Sequence, residues 1–522
     1  MSAAARPTRA AAIALLATCL SASADAQSGR AWRPEDRDLI TWSGDLADVS
    51  LGPRRVYALS PFGVLVYDRA AQAWAPPLTL AAGFPAHERP SALAYDRVRD
   101  GLWVGTQAGG IWFLSGFSDR WESHTRVPGS VTALATVLAE GALYILARSS
   151  WYRLEGGGFS AQPVSPGEVP AEAAQRPEDD RRLAAGLGTL GLDPNGRRWR
   201  VSAVARGDHP GDYWVATGGG LVRYRADRMA GEWLITGLPS IGAGAVARID
   251  GRIWIGSDRG RPLGGIAVAD SALREWTRYD AEVADAPRGF VREIAGAGGA
   301  VWAAAEDGLF RIAVGDSRWS RVGIGEGMPT AASTALAVAG ERIWVGTPQG
   351  LVLVTGDGGV GERLLPGTRV NRLAIARDTL WIASQQGLLI VPSATSPAGH
   401  TALRAPQAES AIARGAVLDV RVAGDTIWAL TELGLRRHAG GQWSGPVGDA
   451  RIGRPHRLAL APGALWVAGD VGAARLDLAS GQWLTFVAPV DLPAGPVTDV
   501  VPWGDDVWLA TPAGAVRLRW RE

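Results

Sequence analysis

The sequence predicts an all-β protein, a β-propeller of eleven or twelve four-stranded blades. A phrase in which a tryptophan is followed six residues later by a glycine occurs nine times, and two degenerate copies carry tyrosine instead. Successive aromatic positions lie about 42 residues apart, apart from one interval of 70. Apolar residues alternate or come in short runs cut by glycine, aspartate and proline, which indicates strands rather than helices. A repeat of this length built from strands is typical of propeller blades.

The repeated tryptophans share one position in the phrase and are the structural framework of the prediction. They are Trp103, Trp214, Trp254, Trp302, Trp344, Trp381, Trp428, Trp466 and Trp508. Tyr57 and Tyr144 occupy the same position in the two degenerate copies.

Each part of the phrase has a predicted role. The stretch before the tryptophan, such as residues 131–135, is the inner strand of a blade, and the tryptophan lies on the second strand. The small residue two places later, such as Gly256 or Gly346, shares the tryptophan's face of the strand and lets the neighbouring blade approach. The following Thr or Ser, two polar residues and glycine predict a tight turn with positive φ. A third strand follows, and a second tryptophan, such as Trp276 or Trp483, indicates an outer strand.

Three copies, Trp344–Leu351, Trp214–Leu221 and Trp381–Leu388, run from tryptophan through a Gly-Thr-like pair to Gly-Leu. They resemble the two-component regulator propeller repeats, which are found in periplasmic sensor regions. The resemblance covers roughly Asp38 to the end of the sequence and implies a sensor-type propeller. Those sensors usually continue into a transmembrane helix and a histidine kinase, and this sequence contains neither, so a signalling role does not follow directly.

The interval of 70 residues contains a segment, residues 155–200, with two possible interpretations. It is either a degenerate twelfth blade, with Arg182 in the aromatic position and Gly188 in the turn, or a long loop. Propellers typically close with four to eight blades. We therefore expect two rings of about six, a first propeller over 35–285 and a second over 286–522.

The two ends of the propeller region are predicted to complete each other. Ala515–Trp520 is a third strand without an outer neighbour, and Asp38–Trp42 is an outer strand without a blade. Pairing them would cover both exposed edges. In that arrangement the first ring is discontinuous, while a simple tandem division near residue 285 is the alternative.

The first 26 residues have the pattern of a secretory signal peptide. Arg6 and Arg9 precede an apolar run over 10–20, and Ala24–Ala26 forms a small-x-small cleavage site. We expect a periplasmic or secreted protein without a transmembrane segment after signal removal. Lipoprotein anchoring through Cys19, the single cysteine, is the alternative.

Composition excludes several chemistries. The formal net charge of +1 gives no reason to expect a nucleic-acid partner. The sequence contains no lysine, which excludes a Schiff-base lysine and a P-loop lysine. The six histidines lack metal-ligand spacing. We predict no metal site, no cofactor and no identifiable catalytic residue.

In propellers, the turns between second and third strands gather on one face around the central channel. Polar, variable residues on such a rigid frame suit recognition. The predicted binding face consists of Gln107, Asp258, Arg259, Arg261, Glu306, Asp307, Gln349, Gln385, Gln386 and Glu432.

The sequence favours an exported, non-catalytic scaffold that binds an unknown glycan, peptide or protein. The sensory module of a signalling system is one form of this function. The alternative is a secreted propeller enzyme, a polysaccharide lyase or glycosidase. A cluster of His, Tyr, Arg or carboxylate side chains at one channel mouth would favour the enzyme.

Overall fold

The structure is a computed structural model that describes residues 37–79, 83–116, 120–156, 158–174, 186, 192–259, 262–395, 403–404, 415–445 and 450–520. These residues form eleven four-stranded antiparallel sheets. The predicted all-β propeller of four-stranded blades is confirmed. Residues 1–36, with the predicted signal peptide and Cys19, and most of 175–191, with Arg182 and Gly188, lie outside the described part.

The first strand, β1 (Arg37–Ile40), is separated in sequence from the rest of its sheet. Sheets 1 to 4 follow, each built from four consecutive strands. They are sheet 1, β2–β5 (Asp48–Leu51, Arg55–Ser60, Gly63–Asp68, Ala73–Leu78); sheet 2, β6–β9 (Pro90–Asp96, Gly101–Thr106, Gly110–Ser115, Trp121–Arg126); sheet 3, β10–β13 (Val131–Val137, Ala142–Ala147, Ser150–Leu154, Gln162–Val164); and sheet 4, β14–β17 (Val201–Arg206, Asp212–Thr217, Gly220–Arg225, Ala230–Leu234).

Sheets 5 to 10 continue the pattern. They are sheet 5, β18–β21 (Ala243–Ile249, Arg252–Ser257, Gly265–Ala269, Trp276–Asp280); sheet 6, β22–β25 (Val291–Ala297, Ala300–Ala305, Gly308–Ala313, Ser320–Val322); sheet 7, β26–β29 (Ala335–Ala339, Arg342–Thr347, Gly350–Thr355, Val360–Leu364); sheet 8, β30–β33 (Val370–Ala376, Thr379–Ser384, Gly387–Val391, Leu403–Arg404); sheet 9, β34–β37 (Val417–Ala423, Thr426–Thr431, Gly434–Ala439, Gln442–Trp443); and sheet 10, β38–β41 (Pro455–Ala461, Ala464–Gly469, Gly472–Asp477, Trp483–Val487).

Sheet 11 consists of β42 (Asp499–Trp503), β43 (Asp506–Thr511), β44 (Gly514–Arg519) and, at its outer edge, β1. Helical structure in the described residues is limited to 171–174, residue 186 and short 3₁₀ turns at Ala86–Glu88, Pro166–Glu168, Ile324–Glu326 and Ala450–Ile452. No helix in the described ranges is long and apolar enough to cross a membrane.

The repeated tryptophans lie on the second strand of their sheets and fill the spaces between blades. Seven of the nine are buried, and Trp254 and Trp381 are half-buried. The small residue two places later allows this packing. A Cβ on Gly256 would lie 2.5 Å from Cγ1 of Val291, the first residue of the next inner strand. The predicted role of the small residue is therefore confirmed.

The predicted turn chemistry is present after most of the tryptophan strands, whereas those of Trp302 and Trp466 have Ala305 and Gly469 in place of Thr or Ser. In sheet 7 the Thr347 hydroxyl donates to the carbonyl oxygen of Gly350 at 2.9 Å. Gly350 has φ +141°, and a Cβ there would lie 2.7 Å from the carbonyl oxygen of Leu364. Only glycine meets both conditions.

The predicted pairing of the chain ends is confirmed. β1 pairs antiparallel with β44 in the register Arg37 with Leu518 through Ile40 with Ala515. Trp42 lies beyond this pairing and makes a parallel bridge to Leu238 instead.

The inner strand is the first strand in sheets 1 to 10 and β42 in sheet 11. Contacts between inner strands give the order of the blades. β18, β22, β26, β30, β34, β38 and β42 contact one another in turn, and β42 contacts β18 again. Sheets 5 to 11 thus form a seven-sheet ring. β14, β2, β6 and β10 contact in a separate run of four.

These contacts differ from the expected division into two sixes at residue 285. Residue 285 falls between sheets 5 and 6, whose inner strands contact each other, whereas the contact pattern changes between Leu234 and Ala243. β1 completes the seven-sheet ring, so the discontinuous unit is the C-terminal one rather than the first. The spacing of the tryptophan phrases could not show which blades are neighbours, because a version of the same phrase recurs in every blade.

The segment between sheets 3 and 4 is described only in part. Val169 and Ala173 pack against Ala135 and Tyr144 of sheet 3. Trp199 lies with its ring centroid 6.3 Å from that of Trp42. A degenerate twelfth blade between these ends stays a prediction.

Candidate functional site

One position holds most of the charged residues that lie on the inner strands of the seven-sheet ring. Within this ring it lies nine residues before each tryptophan and pairs with the residue two places after that tryptophan. We call its seven members the charged layer: Ala245, Glu293, Ala335, Arg372, Asp419, Arg457 and Asp499. Since the side chains come from the innermost strands, three carboxylates and two guanidinium groups gather around one axis.

The carboxylates of the charged layer join neighbouring blades. Asp499 Oδ2 accepts from the backbone N–H of Val246 at 3.0 Å, and Asp419 Oδ2 accepts from Leu458 at 2.8 Å. Glu293 Oε2 accepts from the N–H of Leu336 at 2.9 Å. The three carboxylates are therefore used to hold neighbouring blades together.

Arg457 holds the layer together electrostatically. Its Nε donates to Asp499 Oδ1 at 2.7 Å, and its Nη2 lies 3.5 Å from Glu293 Oε1. Burial alone would lower the pKa of Arg457, but the carboxylates of Asp499, Glu293 and Asp419 outweigh burial and raise it. Arg457 is therefore charged at every physiological pH.

Arg372 is the second cation of the layer and the one that reaches a cavity. Its Nη1 donates to the carbonyl oxygen of Thr334 at 2.8 Å. Burial and the neighbouring charge of Arg457 lower the pKa of Arg372 to about 10. The guanidinium remains protonated at neutral pH, in a place where an extra negative charge would be stabilised.

A cavity of about 340 Å³ opens beside the charged layer. Most of its lining side chains come from the residue immediately before the charged layer on each inner strand. The lining consists of Phe290, Arg292, Thr334, Arg369, Asn371, Arg372, Leu418, His456 and Thr498. We call this cavity the mouth cavity.

Two more arginines give the mouth cavity its cationic character. Arg292 donates from Nη2 to Glu306 Oε1 at 2.7 Å, and its guanidinium lies 5.3 Å from the ring centroid of Phe290. Burial lowers the pKa of Arg292, and the nearby charge of Arg369 acts in the same direction. Arg369 is exposed and donates from Nε to Asn371 Oδ1 at 3.3 Å.

His456 contributes a neutral imidazole. Its Nε2 lies 2.7 Å from the carbonyl oxygen of Val497 and donates to it, and its Nδ1 lies 3.6 Å from Asp470 Oδ1. Burial lowers the pKa of His456, so the ring is uncharged at neutral pH.

Several polar groups of the lining tie blades together. The Thr334 hydroxyl donates to the carbonyl oxygen of Val370 at 2.6 Å, and Asn371 Nδ2 donates to that of Val417 at 2.8 Å. Because the Thr334 and Asn371 donors are already bonded to backbone carbonyl oxygens, the arginines supply most of the hydrogen-bond donors that a ligand in the cavity could use.

The turn residues predicted as a binding face lie on the rim rather than in the mouth cavity. Among the members that the structure describes, Glu306 alone hydrogen-bonds to a lining side chain, that of Arg292. Asp258 is half-buried, and burial raises its pKa. Asp307 Oδ2 accepts from the Arg288 N–H at 2.9 Å.

The remaining predicted residues are spread along the rim or lie elsewhere. The exposed members on turns of the seven-sheet ring are Arg259, Gln349, Gln385, Gln386 and Glu432. Gln107 belongs to sheet 2, in the run of four, and Arg261 lies outside the described residues. The rim as a binding face stays a prediction.

Sequence reasoning missed the lining residues because it followed the turns. The phrase nevertheless carried a signal: Glu293, Arg372, Asp419, Arg457 and Asp499 each stand nine residues before a tryptophan. Charged residues at a position predicted to lie on an innermost strand are unusual, since such strands are buried.

A second cavity, of about 410 Å³, lies at the opposite turns of sheets 1 to 3, between Tyr95, Val98, Leu138 and Glu172. Its tyrosine is engaged, because the Tyr95 hydroxyl hydrogen-bonds Asp100 Oδ1. No group of His, Cys, Asp and Glu in the described residues is arranged to hold a metal ion. The mouth cavity is therefore the stronger candidate site.

No protein-family model and no curated protein matches the chain. Among solved structures, the extracellular domain of BT4673 from B. thetaiotaomicron, assigned to a one-component system, is 11% identical over 91% of this chain and 76% of its own, with a TM-score of 0.44. PorZ, a surface component of the type-IX secretion system of Porphyromonas gingivalis, is 12% identical over 91% and 69%, with a TM-score of 0.45.

A third structure is the extracellular domain of BT3049 from B. thetaiotaomicron, assigned to a hybrid two-component system. It is 12% identical over 92% of this chain and 61% of its own, with a TM-score of 0.29. Because identities this low carry no functional information, the function has to be inferred from the residues of this chain.

Proposed function

We propose that the protein is an exported, non-catalytic propeller that binds a ligand at the mouth cavity of the seven-sheet ring. The observation that carries the proposal is the convergence of Arg292, Arg369 and Arg372 on one cavity of about 340 Å³. Export is supported by the signal-peptide pattern of residues 1–26. Handing a ligand signal to a separate membrane kinase is one use of such a module.

The chemistry of the scaffold supports binding rather than catalysis. The three carboxylates of the charged layer accept hydrogen bonds from backbone N–H groups or arginines, so they are already occupied. A rigid frame with convergent donors and few free proton acceptors suits recognition.

The test is a thermal-shift screen of small metabolites against the mature chain and two variants. Leu418→Trp would fill the mouth cavity, whereas Leu433→Trp places the same ring on an exposed turn of the same sheet, where Leu433 is 71% exposed. Ligands that stabilise the wild type should also stabilise Leu433→Trp and fail with Leu418→Trp. Ligands that bind all three proteins equally would show that the mouth cavity is not the site.

A polysaccharide lyase is the second candidate, because a neutral imidazole lines the same cavity as three arginines. In such a reaction arginines would neutralise the carboxylate of a uronate and His456 would take the proton beside it. The carbon–oxygen bond to the leaving sugar would break as a carbon–carbon double bond forms, and His456 would return the proton it took to the leaving oxygen.

This second candidate has its own test. Incubation of the protein with polyuronates should produce an ultraviolet-absorbing unsaturated sugar, and His456→Gln should abolish it. If no polyuronate gives the ultraviolet absorbance of the unsaturated product while small ligands still bind, the protein is a binding protein and not a lyase.

A further inference from the structure

We infer that the mouth cavity binds a carboxylate, between Arg292 and Arg369 with Arg372 beneath. The inference rests on the proposed function and names the chemical class of its ligand.

The lining of the mouth cavity has an excess of positive charge. Among the residues that the structure describes, it contains three guanidinium groups, those of Arg292, Arg369 and Arg372, and no carboxylate. Glu306 pairs with Arg292 from the rim, and His456 is neutral. A negatively charged ligand is therefore favoured in this cavity.

The available donors support the same conclusion. Arg372 Nε is buried and has no hydrogen-bond partner among the described residues, although the side chain lines the cavity. Arg369 is exposed and uses its Nε for a long 3.3 Å bond to Asn371. Guanidinium groups present paired N–H donors that match the two oxygens of a carboxylate.

The remaining lining suits the organic part of such a ligand. Phe290 and Leu418 offer apolar surface beside the arginines. At about 340 Å³ the cavity is near the lower end of the size range for small-molecule sites, so it holds one small acid or one acidic unit of a longer molecule.

The experiment is calorimetric titration of the mature chain with D-galacturonate, succinate, D-galactose and sulfate. Galactose has the ring of galacturonate without its carboxylate, and sulfate tests for non-specific anion binding. The variants are Arg369→Gln and the double change Arg292→Gln with Arg369→Gln. Arg377→Gln is the matched control, because Arg377 is 74% exposed at the opposite end of the same inner strand.

We expect galacturonate, succinate or both to bind, and galactose and sulfate to bind at least tenfold more weakly. The double variant should lose about tenfold or more in affinity, as expected when charged hydrogen bonds are removed, and Arg377→Gln should be unchanged. Comparable binding of sulfate or galactose, unchanged binding in the double variant, or binding of neither carboxylate would overturn the inference.

The proposed function can survive that failure. If the metabolite screen yields ligands that Leu418→Trp abolishes and all of them are neutral, the mouth cavity is a binding site and only the carboxylate assignment is wrong.

Discussion

Asp499 Oδ2 accepts a hydrogen bond of 3.0 Å from the backbone N–H of Val246, across 253 residues of sequence. This contact joins the last inner strand of the seven-sheet ring to the first. The same carboxylate receives Arg457 Nε at 2.7 Å on its other oxygen. The buried Asp499 side chain therefore connects sheet 11 to sheet 5 and also binds Arg457 of the charged layer.

Asp499→Asn should destabilise the ring strongly. The change leaves the Arg457 guanidinium, only 5% exposed, without its closest counter-charge. Breaking a buried ion pair from one side costs about 3–5 kcal/mol, and chemical denaturation followed by tryptophan fluorescence would measure the loss. Asp227→Asn, at an exposed pair with Arg225, is the control and should cause no measurable change.

The closure by β1 can be measured with a double-mutant cycle. Arg517 Nε donates to Asp38 Oδ2 at 2.9 Å, and the two side chains are 8% and 14% exposed. We expect Asp38→Ala and Arg517→Ala to be non-additive by about 0.5–3 kcal/mol in the free energy of unfolding. The exposed pair Arg377 and Asp425 should give a coupling near zero. Additive effects at Asp38 and Arg517 would contradict the closure.

Gly256→Ala should destabilise the contact between sheets 5 and 6. The new Cβ would lie 2.5 Å from Val291, closer than packed carbons allow. Overpacking of this kind costs about 1–3 kcal/mol. Gly325→Ala is the control, since nothing lies within 4 Å of the added carbon. Equal melting temperatures of the two variants would show that the sheets separate easily at this point.

His456 predicts a pH dependence of stability. Burial lowers its pKa in the folded protein, so the unfolded chain takes up this proton first as the pH falls. The contribution of the neutral His456 imidazole to the free energy of unfolding is complete above the unfolded pKa of about 6.5 and is lost as the pH decreases below that value. Hydrogen bonds to the backbone of Val497 and Arg454 and the charge of Asp470 oppose this lowering of the pKa, and the charge of Arg372 adds to it.

The measurement is the free energy of unfolding of the wild type and His456→Gln between pH 8 and pH 5. Titration of other groups cancels in the difference between the two proteins. We expect the wild type to lose more stability than the variant over this range. Parallel curves would mean that burial does not hold the imidazole neutral.

The sequence predicted the repeating unit well because each blade repeats the same local chemistry. A tryptophan, a small residue such as Gly346, a hydroxyl such as Thr347 and a glycine such as Gly350 each satisfy a condition within one blade or with the next one. The pairing of β1 with β44 was also predictable, because two incomplete edges were visible at the ends of the repeat.

The sequence by itself determined the blade, most of its turns and the pairing of the two terminal strands. Only the tertiary structure decided that seven sheets form the ring, and that Arg292, Arg369 and Arg372 from two blades meet at one cavity. The physical reason is that each blade's hydrogen bonds and packing are local in sequence, whereas the number of blades and the neighbours across a channel depend on small angles summed around the whole ring. Identical phrases do not encode those angles.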